Sequence, residues 1–156
     1  MASGIKFIWI GKLKTTYWTA AQEHYWKRLS RYHHLEEVIL KDSPSHLPEI
    51  KRVERESQAI QARLAPRDLT ICLDTSGTAM SSVRLARHLR VWTQDRNRSP
   101  CFIIGGPFGL SQDLLDTSQT VMSFGPLTLP HELARIILLE QLYRAATLNH
   151  NHPYHH

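Results

Sequence analysis

Apolar and polar positions along this chain fall into short blocks whose period switches repeatedly between that of a strand and that of a helix. Residues 5–10, IKFIWI, form a compact apolar run that predicts a strand. From 15 to 32, Trp18, Ala21, Tyr25, Leu29 and Tyr32 recur at helical spacing, which predicts a helix whose aromatic stripe reads most simply as core. Residues 35–40 are a second strand candidate, followed by the Pro44–Pro48 loop and a charged helix from about 49 to 64 that Pro66 ends. Residues 69–73 predict a short strand. Ser81 or Ser82 caps a helix running to about Arg96, and 101–104 is the next strand. Val121 to Phe124 reads as one more strand, 125–129 as a loop, and Pro130 as the first residue of a helix running to about 148. That helix carries Leu133, Ile136, Ile137, Leu138, Leu139, Leu142, Tyr143 and Ala146, a stripe wider than one sheet contact requires, so part of it is expected to meet a second subunit. Alternation of strand and helix predicts an α/β fold, a mostly parallel sheet flanked by helices. Ordinary topology rules would make it unknotted and flavodoxin-like.

Composition narrows this picture. A chain of 156 residues fits one domain, and 42% hydrophobic with 21% charged residues is the balance of a folded protein rather than a disordered one. The apolar run Phe7–Ile10 is far too short for a signal core or a spanning helix, so a cytoplasmic protein with no membrane association is expected. Cys72 and Cys101 fall inside predicted strands, where free thiols behave as small apolar groups. The net charge of +5 is carried by cations spread from Lys12 to Arg90, with Arg84, Arg87 and Arg90 among them. Singly these are solvated side chains; their sum points to an anionic partner such as nucleic acid.

Chemistry concentrates in the last third. The strand at 101–104 runs into GGPFGLS at 105–111, with glycines at 105, 106 and 109 and a helix start at Ser111. Glycine leaves room for a ligand to approach the backbone, and Pro107 stiffens the turn. A second strand end, SFGPLTLP at 123–130, follows the same plan. Two such loops at the carboxyl edge of a parallel sheet can line one cleft. Histidines 150, 152, 155 and 156 invite a metal reading, but no cysteine accompanies them and no HExxH spacing occurs, so no metal site is expected.

The GGPFG loop, the LTLPHELAR segment and the terminal PYH, together with GKLKTTYW at 11–18 and the strand ending Leu73–Asp74, resemble the small bacterial SPOUT-class RNA methyltransferases of the RlmH type. The resemblance spans nearly the whole chain. It implies S-adenosylmethionine-dependent methylation of N3 of a pseudouridine in 23S large-subunit ribosomal RNA. It also implies a homodimer and a deep trefoil knot near the C terminus, which overrides the unknotted default. Another RNA as substrate, or a non-catalytic ribosome-binding factor of the same fold, are the competing readings.

Carried over by position, the cofactor site comprises Leu73, Gly105 and the stretch Phe124, Gly125, Pro126, Leu127, Thr128 and Leu129. The leucines and Phe124 would enclose an adenine, while free backbone groups bond its edge and the ribose. Asp74 is either a ribose or sulfonium contact or a simple turn residue. His131 is expected to hold the loop against the last helix. The tail supplies the catalytic candidates, His155 contacting the target nucleotide and Tyr154 stacking or hydrogen-bonding beside it. The family usually ends in lysine or arginine where this chain has His156, so a permanent terminal charge is missing here.

Overall fold

The computed structural model describes residues 4–156. Five parallel strands, β1 (Gly4–Ile10), β2 (His34–Leu40), β3 (Asp68–Ala79), β4 (Ser99–Ile104) and β5 (Thr120–Ser123), make one sheet in the order β2-β1-β4-β3-β5. Helices α1 (Thr16–Leu29), α2 (Glu49–Gln61), α3 (Ser82–Gln94), α4 (Gln112–Thr117) and α5 (His131–Asn149) alternate with the strands. Strands buried on both faces read as continuous apolar runs, and their period-two alternation sorts the side chains. Ile5, Phe7, Trp9, Ile71, Phe102 and Ile104 face the layer of α1, α3 and α5, whereas Ile8, Ile10, Cys72, Cys101 and Ile103 face α2 and α4. Both thiols are free and buried, and burial raises their pKa, that of Cys72 to about 11.

The strand order differs from the flavodoxin order, 2-1-3-4-5. β4 occupies the slot between β1 and β3, and β5 adds on the far side of β3, so the two strands that lead into the glycine-rich loops flank β3.

Most predicted elements are present with ends moved by a few residues. Pro130 is the N-cap of α5 rather than its first residue, Ser81 caps α3 by accepting from the Arg84 N–H, and Ser111 caps α4. The larger difference is in β3, which the sequence ends at 73. It continues to Ala79 because Leu73 and Thr78 both pair with Met122, and residues 74–77 bulge out between them. Gly77 closes that bulge against β5; a Cβ there would lie 2.7 Å from the backbone of Val121 and Met122.

Leu138, Leu139 and Leu142 of α5 are fully buried beneath α1 and α3. They belong to the core, so Leu139 and Leu142 are not interface positions. Leu133, Ile137, Glu140, Gln141, Tyr143 and Arg144 are among the residues that remain half-exposed on α5.

One buried side chain joins the two ends of the fold. Arg135, 1% exposed, donates from one guanidinium nitrogen to the carbonyl oxygens of Ile10 and of Gly11, the latter at 2.7 Å, and its guanidinium lies 5.3 Å from the Trp9 ring centroid. Burial lowers its pKa to about 10, opposed by Glu37, Glu132 and Asp42, so it remains a cation at neutral pH. Arg135→Met keeps an apolar stem but leaves both carbonyls without this donor. It should lower unfolding free energy by about 2–4 kcal/mol, read from urea denaturation of a protein with native circular dichroism.

Candidate active site

At the carboxyl edge of the sheet a cavity of about 280 Å³ opens between the ends of β3, β4 and β5 and the start of α5. Its walls include Leu73, Asp74 and Thr75 from the β3 bulge, Ile104 through Gly109 from the loop after β4, and Ser123, Phe124, Gly125, Leu127, Thr128 and Leu129. His131 and Ala134 close it from the first turns of α5. Of the residues predicted to bind a cofactor, Leu73, Gly105, Phe124, Gly125, Leu127, Thr128 and Leu129 line this cavity; Pro126 is exposed and does not.

Each wall has a local cause. The Gly109 N–H donates to Gly106 O at 3.1 Å, closing a tight turn over Pro107 and Phe108, with Gly109 at φ +81°. A Cβ on Gly105 would lie 2.7 Å from Gly109 O, so glycine is required there by the turn itself as well as by any ligand. From below, α2 steadies the same loop. Ser57 Oγ accepts from the Ser111 N–H at 2.9 Å, the Arg52 guanidinium lies 4.9 Å from the Phe108 ring centroid, and buried Glu56 accepts from the Ser43 N–H at 3.1 Å beneath Gly106. On the opposite wall the Ser123 hydroxyl accepts from the Gly125 N–H and donates to Gly125 O, both at 3.0 Å, bending the chain into the second loop. Gly125 stands at φ +109° with open space where a Cβ would point.

Of the two roles the sequence left open for Asp74, the turn role is seen directly. Asp74 Oδ2 accepts from the Ser76 N–H at 2.9 Å and the Ser76 hydroxyl at 2.5 Å, holding the bulge. Oδ1 faces Gly109 at the cavity rim. The signal missed in the sequence is the bulge, because Thr75, Ser76 and Gly77 read as an ordinary turn after a finished strand.

The catalytic candidates lie elsewhere in this chain. Tyr154 packs on Tyr143 with centroids 4.7 Å apart, donates to Glu140 Oε1 at 3.3 Å, and lies under the Arg144 guanidinium. Burial raises the Tyr154 pKa, and the Glu140 carboxylate adds to the effect. His155 is exposed at the end of the same tail. Tyr143 and His131 are separated by roughly 18 Å along α5 at about 1.5 Å per residue, so the tail of one chain is anchored far from its own cavity.

The family model described as predicted SPOUT methyltransferase matches residues 4–155. The chain belongs to the SPOUT methyltransferase family. It is 50% identical over 154 residues to the ribosomal RNA large subunit methyltransferase H of Maridesulfovibrio salexigens, covering 99% of each chain. It is 44% identical over 155 residues to the protein of the same name from Lawsonia intracellularis, again covering 99% of each. A crystal structure of a probable methyltransferase from Bordetella pertussis shares the fold, with a TM-score of 0.60 at 16% identity over 92% of this chain and 95% of that one. The SPOUT fold thus brings the two glycine-bearing loops to a single cavity.

His131 is the histidine in the wall of this SPOUT cavity. Burial and the nearby Arg135 cation lower its pKa, against the pull of Glu132, Asp42 and Glu56. The unfolded chain therefore binds more protons than the folded one between the folded pKa and about 6.5, and stability falls as pH drops through that window. His131→Gln removes the term. Urea midpoints taken from pH 7.5 to 5 should decline less steeply for the variant than for the native sequence.

Proposed function

We propose that this chain transfers a methyl group from S-adenosylmethionine to N3 of a pseudouridine in large-subunit ribosomal RNA, acting in the cytoplasm as a homodimer. The observation that carries the reading is the cavity itself, in which apolar walls from Leu73, Phe124, Leu127 and Leu129 meet the open backbone of two glycine-bearing turns. That donor set fits an adenosyl group. Flat apolar surfaces take the purine, backbone groups at Gly105–Gly106 and Gly125 take its polar edges, and the free Asp74 oxygen at the rim suits a ribose hydroxyl or a sulfonium. The curated relatives named as ribosomal RNA large subunit methyltransferase H support the choice of RNA. A trefoil knot belongs to the same reading, supported by β4 entering between β1 and β3.

Bound S-adenosylmethionine supplies an electrophilic methyl group and a neutral thioether as leaving group. The residues of this chain have two further tasks. The loops hold the sulfonium end in line with the attacking nitrogen, and a polar group accepts the proton that N3 gives up. Tyr154 and His155 are the candidates for contact with the nucleotide. Because the tail is anchored on α5 far from its own cavity, a second copy bringing its tail across is the arrangement that joins both halves of the chemistry.

Methylation of large ribosomal subunits, followed by mass mapping of the modified nucleoside, tests reaction, base and position together. Leu127 is 74% exposed, so Leu127→Glu should leave the fold intact while weakening cofactor affinity at least about tenfold by setting a carboxylate against the adenine. Deleting Tyr154 to His156 should abolish transfer with cofactor affinity unchanged. Normal transfer by the shortened chain would remove the tail from the mechanism, and failure of the native chain to methylate would overturn the whole reading.

The dimer is expected to use the outer faces of α1 and α5. Tyr17 is 64% exposed beside half-exposed Trp18, Ala21 and Tyr25, and this apolar face continues onto Tyr143. Ala21→Arg should give a monomer in sedimentation at micromolar concentration, with secondary structure retained. A native protein that is already monomeric there would rule the dimer out.

A further inference from the structure

Helix α3 carries Arg84, Arg87 and Arg90 on its outer side, all exposed, and has no Asp or Glu anywhere in its length. The other helices differ. α1 sets Glu23 among its cations, α2 has Glu49, Glu54 and Glu56, α4 has Asp113 and Asp116, and α5 has Glu132 and Glu140. Among the described residues none of the three α3 arginines makes an ion pair or a side-chain hydrogen bond.

Folding gives no reason for this choice. Arg84 sits in the first turn, where the positive end of the helix dipole opposes a cation, and the successive three-residue spacings place like charges side by side. Each feature weakens the helix slightly, and no carboxylate offsets it. A partner that brings negative charge would.

The stripe also has a direction. Ser82 and Leu85, in the turn that holds Arg84, line a second cavity with Phe124, Gly125, Leu127 and Leu129, residues that also wall the proposed cofactor site. From there Arg87 and Arg90 follow at about 4.5 Å of rise per step, leading away from the cavity along α3.

We infer that the outer face of α3 is the docking track for the RNA backbone, with Arg84, Arg87 and Arg90 each neutralising a phosphate of a strand whose target base reaches the cavity. This rests on the proposed methyltransferase reading and adds to it the surface that finds the substrate. Mobile guanidiniums on a helix face suit phosphates, because they bind charge without selecting sequence. Recognition of the base is left to the cavity.

The test uses the full chain with S-adenosylmethionine and large ribosomal subunits, measuring methyl transfer against subunit concentration at several salt concentrations. R84Q/R87Q/R90Q should raise KM at least about tenfold near physiological salt and flatten the dependence of log KM on log salt by about 2, given roughly 0.7–0.9 per phosphate contact. The turnover number at saturation and the calorimetric affinity for S-adenosylmethionine should stay within about twofold, since the lost contacts act in binding rather than in the transition state. R84K/R87K/R90K should restore most of the native KM. K51Q/R55Q, which removes two cations from the acid-bearing α2, should leave it unchanged. An unaltered KM and salt slope in the triple glutamine variant would overturn the proposal. So would an equal loss in the α2 pair, which would indicate a diffuse field, or a lysine variant as weak as the glutamine one. No transfer by the native chain to any large-subunit RNA would instead sink the methyltransferase reading, and the track with it.

Discussion

The buried guanidinium of Arg135 is the constraint on which the site depends. It reaches from the first turns of the last helix to the carbonyls that end the first strand, so the two halves of the chain meet at a charge with very little access to water. A buried cation is costly unless acceptors and carboxylates lie near, and here the Ile10 and Gly11 carbonyls accept from one terminal nitrogen, Nε is buried without a partner, and Glu37, Glu132 and Asp42 supply the field. The consequence is positional. With Arg135 fixed, His131 one turn earlier faces the cavity, and the loop from Phe124 to Leu129 has a defined far end. Gly11 completes the arrangement, since any Cβ there would strike the Asp42 carboxylate.

Around that anchor the cavity is assembled from main chain more than from side chains. The two loops that wall it are held by short local hydrogen bonds, Gly109 to Gly106 and Gly125 to Ser123, and the first of them also by α2 from below through Ser57 and Arg52. Such a site resists deformation because each loop is closed independently of the ligand. A pre-shaped pocket spends little binding energy on ordering itself, which leaves more for alignment of the methyl group.

Much of this was legible in the sequence, and what was not has a physical reason. Apolar runs buried on both faces announced the strands β1 and β4, and the serine caps announced α3 and α4. The residues carried over from the family, Leu73, Gly105 and most of the 124–129 stretch, line one cavity because they sit at or just after strand ends on the same edge of the sheet. The β3 bulge escaped because Leu73 and Thr78, on either side of residues 74–77, both pair with Met122 on a strand distant in sequence, which no local pattern records. Which part of the α5 stripe is core, Leu139 and Leu142 included, was not legible for a related reason. The apolar residues of α5 spread over most of its circumference among polar ones, and periodicity does not tell the side that meets α1 and α3 from the side left partly open. Arg135 gave no signal at all, since an arginine in a helix that also carries Glu132, Glu140 and Arg144 reads as an exposed one.

The placement of polar groups explains how one small chain divides its work. The cavity wall includes the Asp74 carboxylate but no lysine or arginine, and His131 is biased toward its neutral form, so the lining offers no cation to compete with a sulfonium. Arg144 is engaged with Glu140 and stacked against Tyr154, which ties the tail to the helix rather than freeing it for solvent. Three unpaired arginines stand together on α3, outside the cavity but next to the loop it shares. Separating the charge that attracts a polyanion from the pocket that handles a positively charged cofactor avoids a conflict, because an arginine lining the cavity would repel the group that has to bind there. Long-range attraction on the helix and short-range shape in the loops can then be tuned independently.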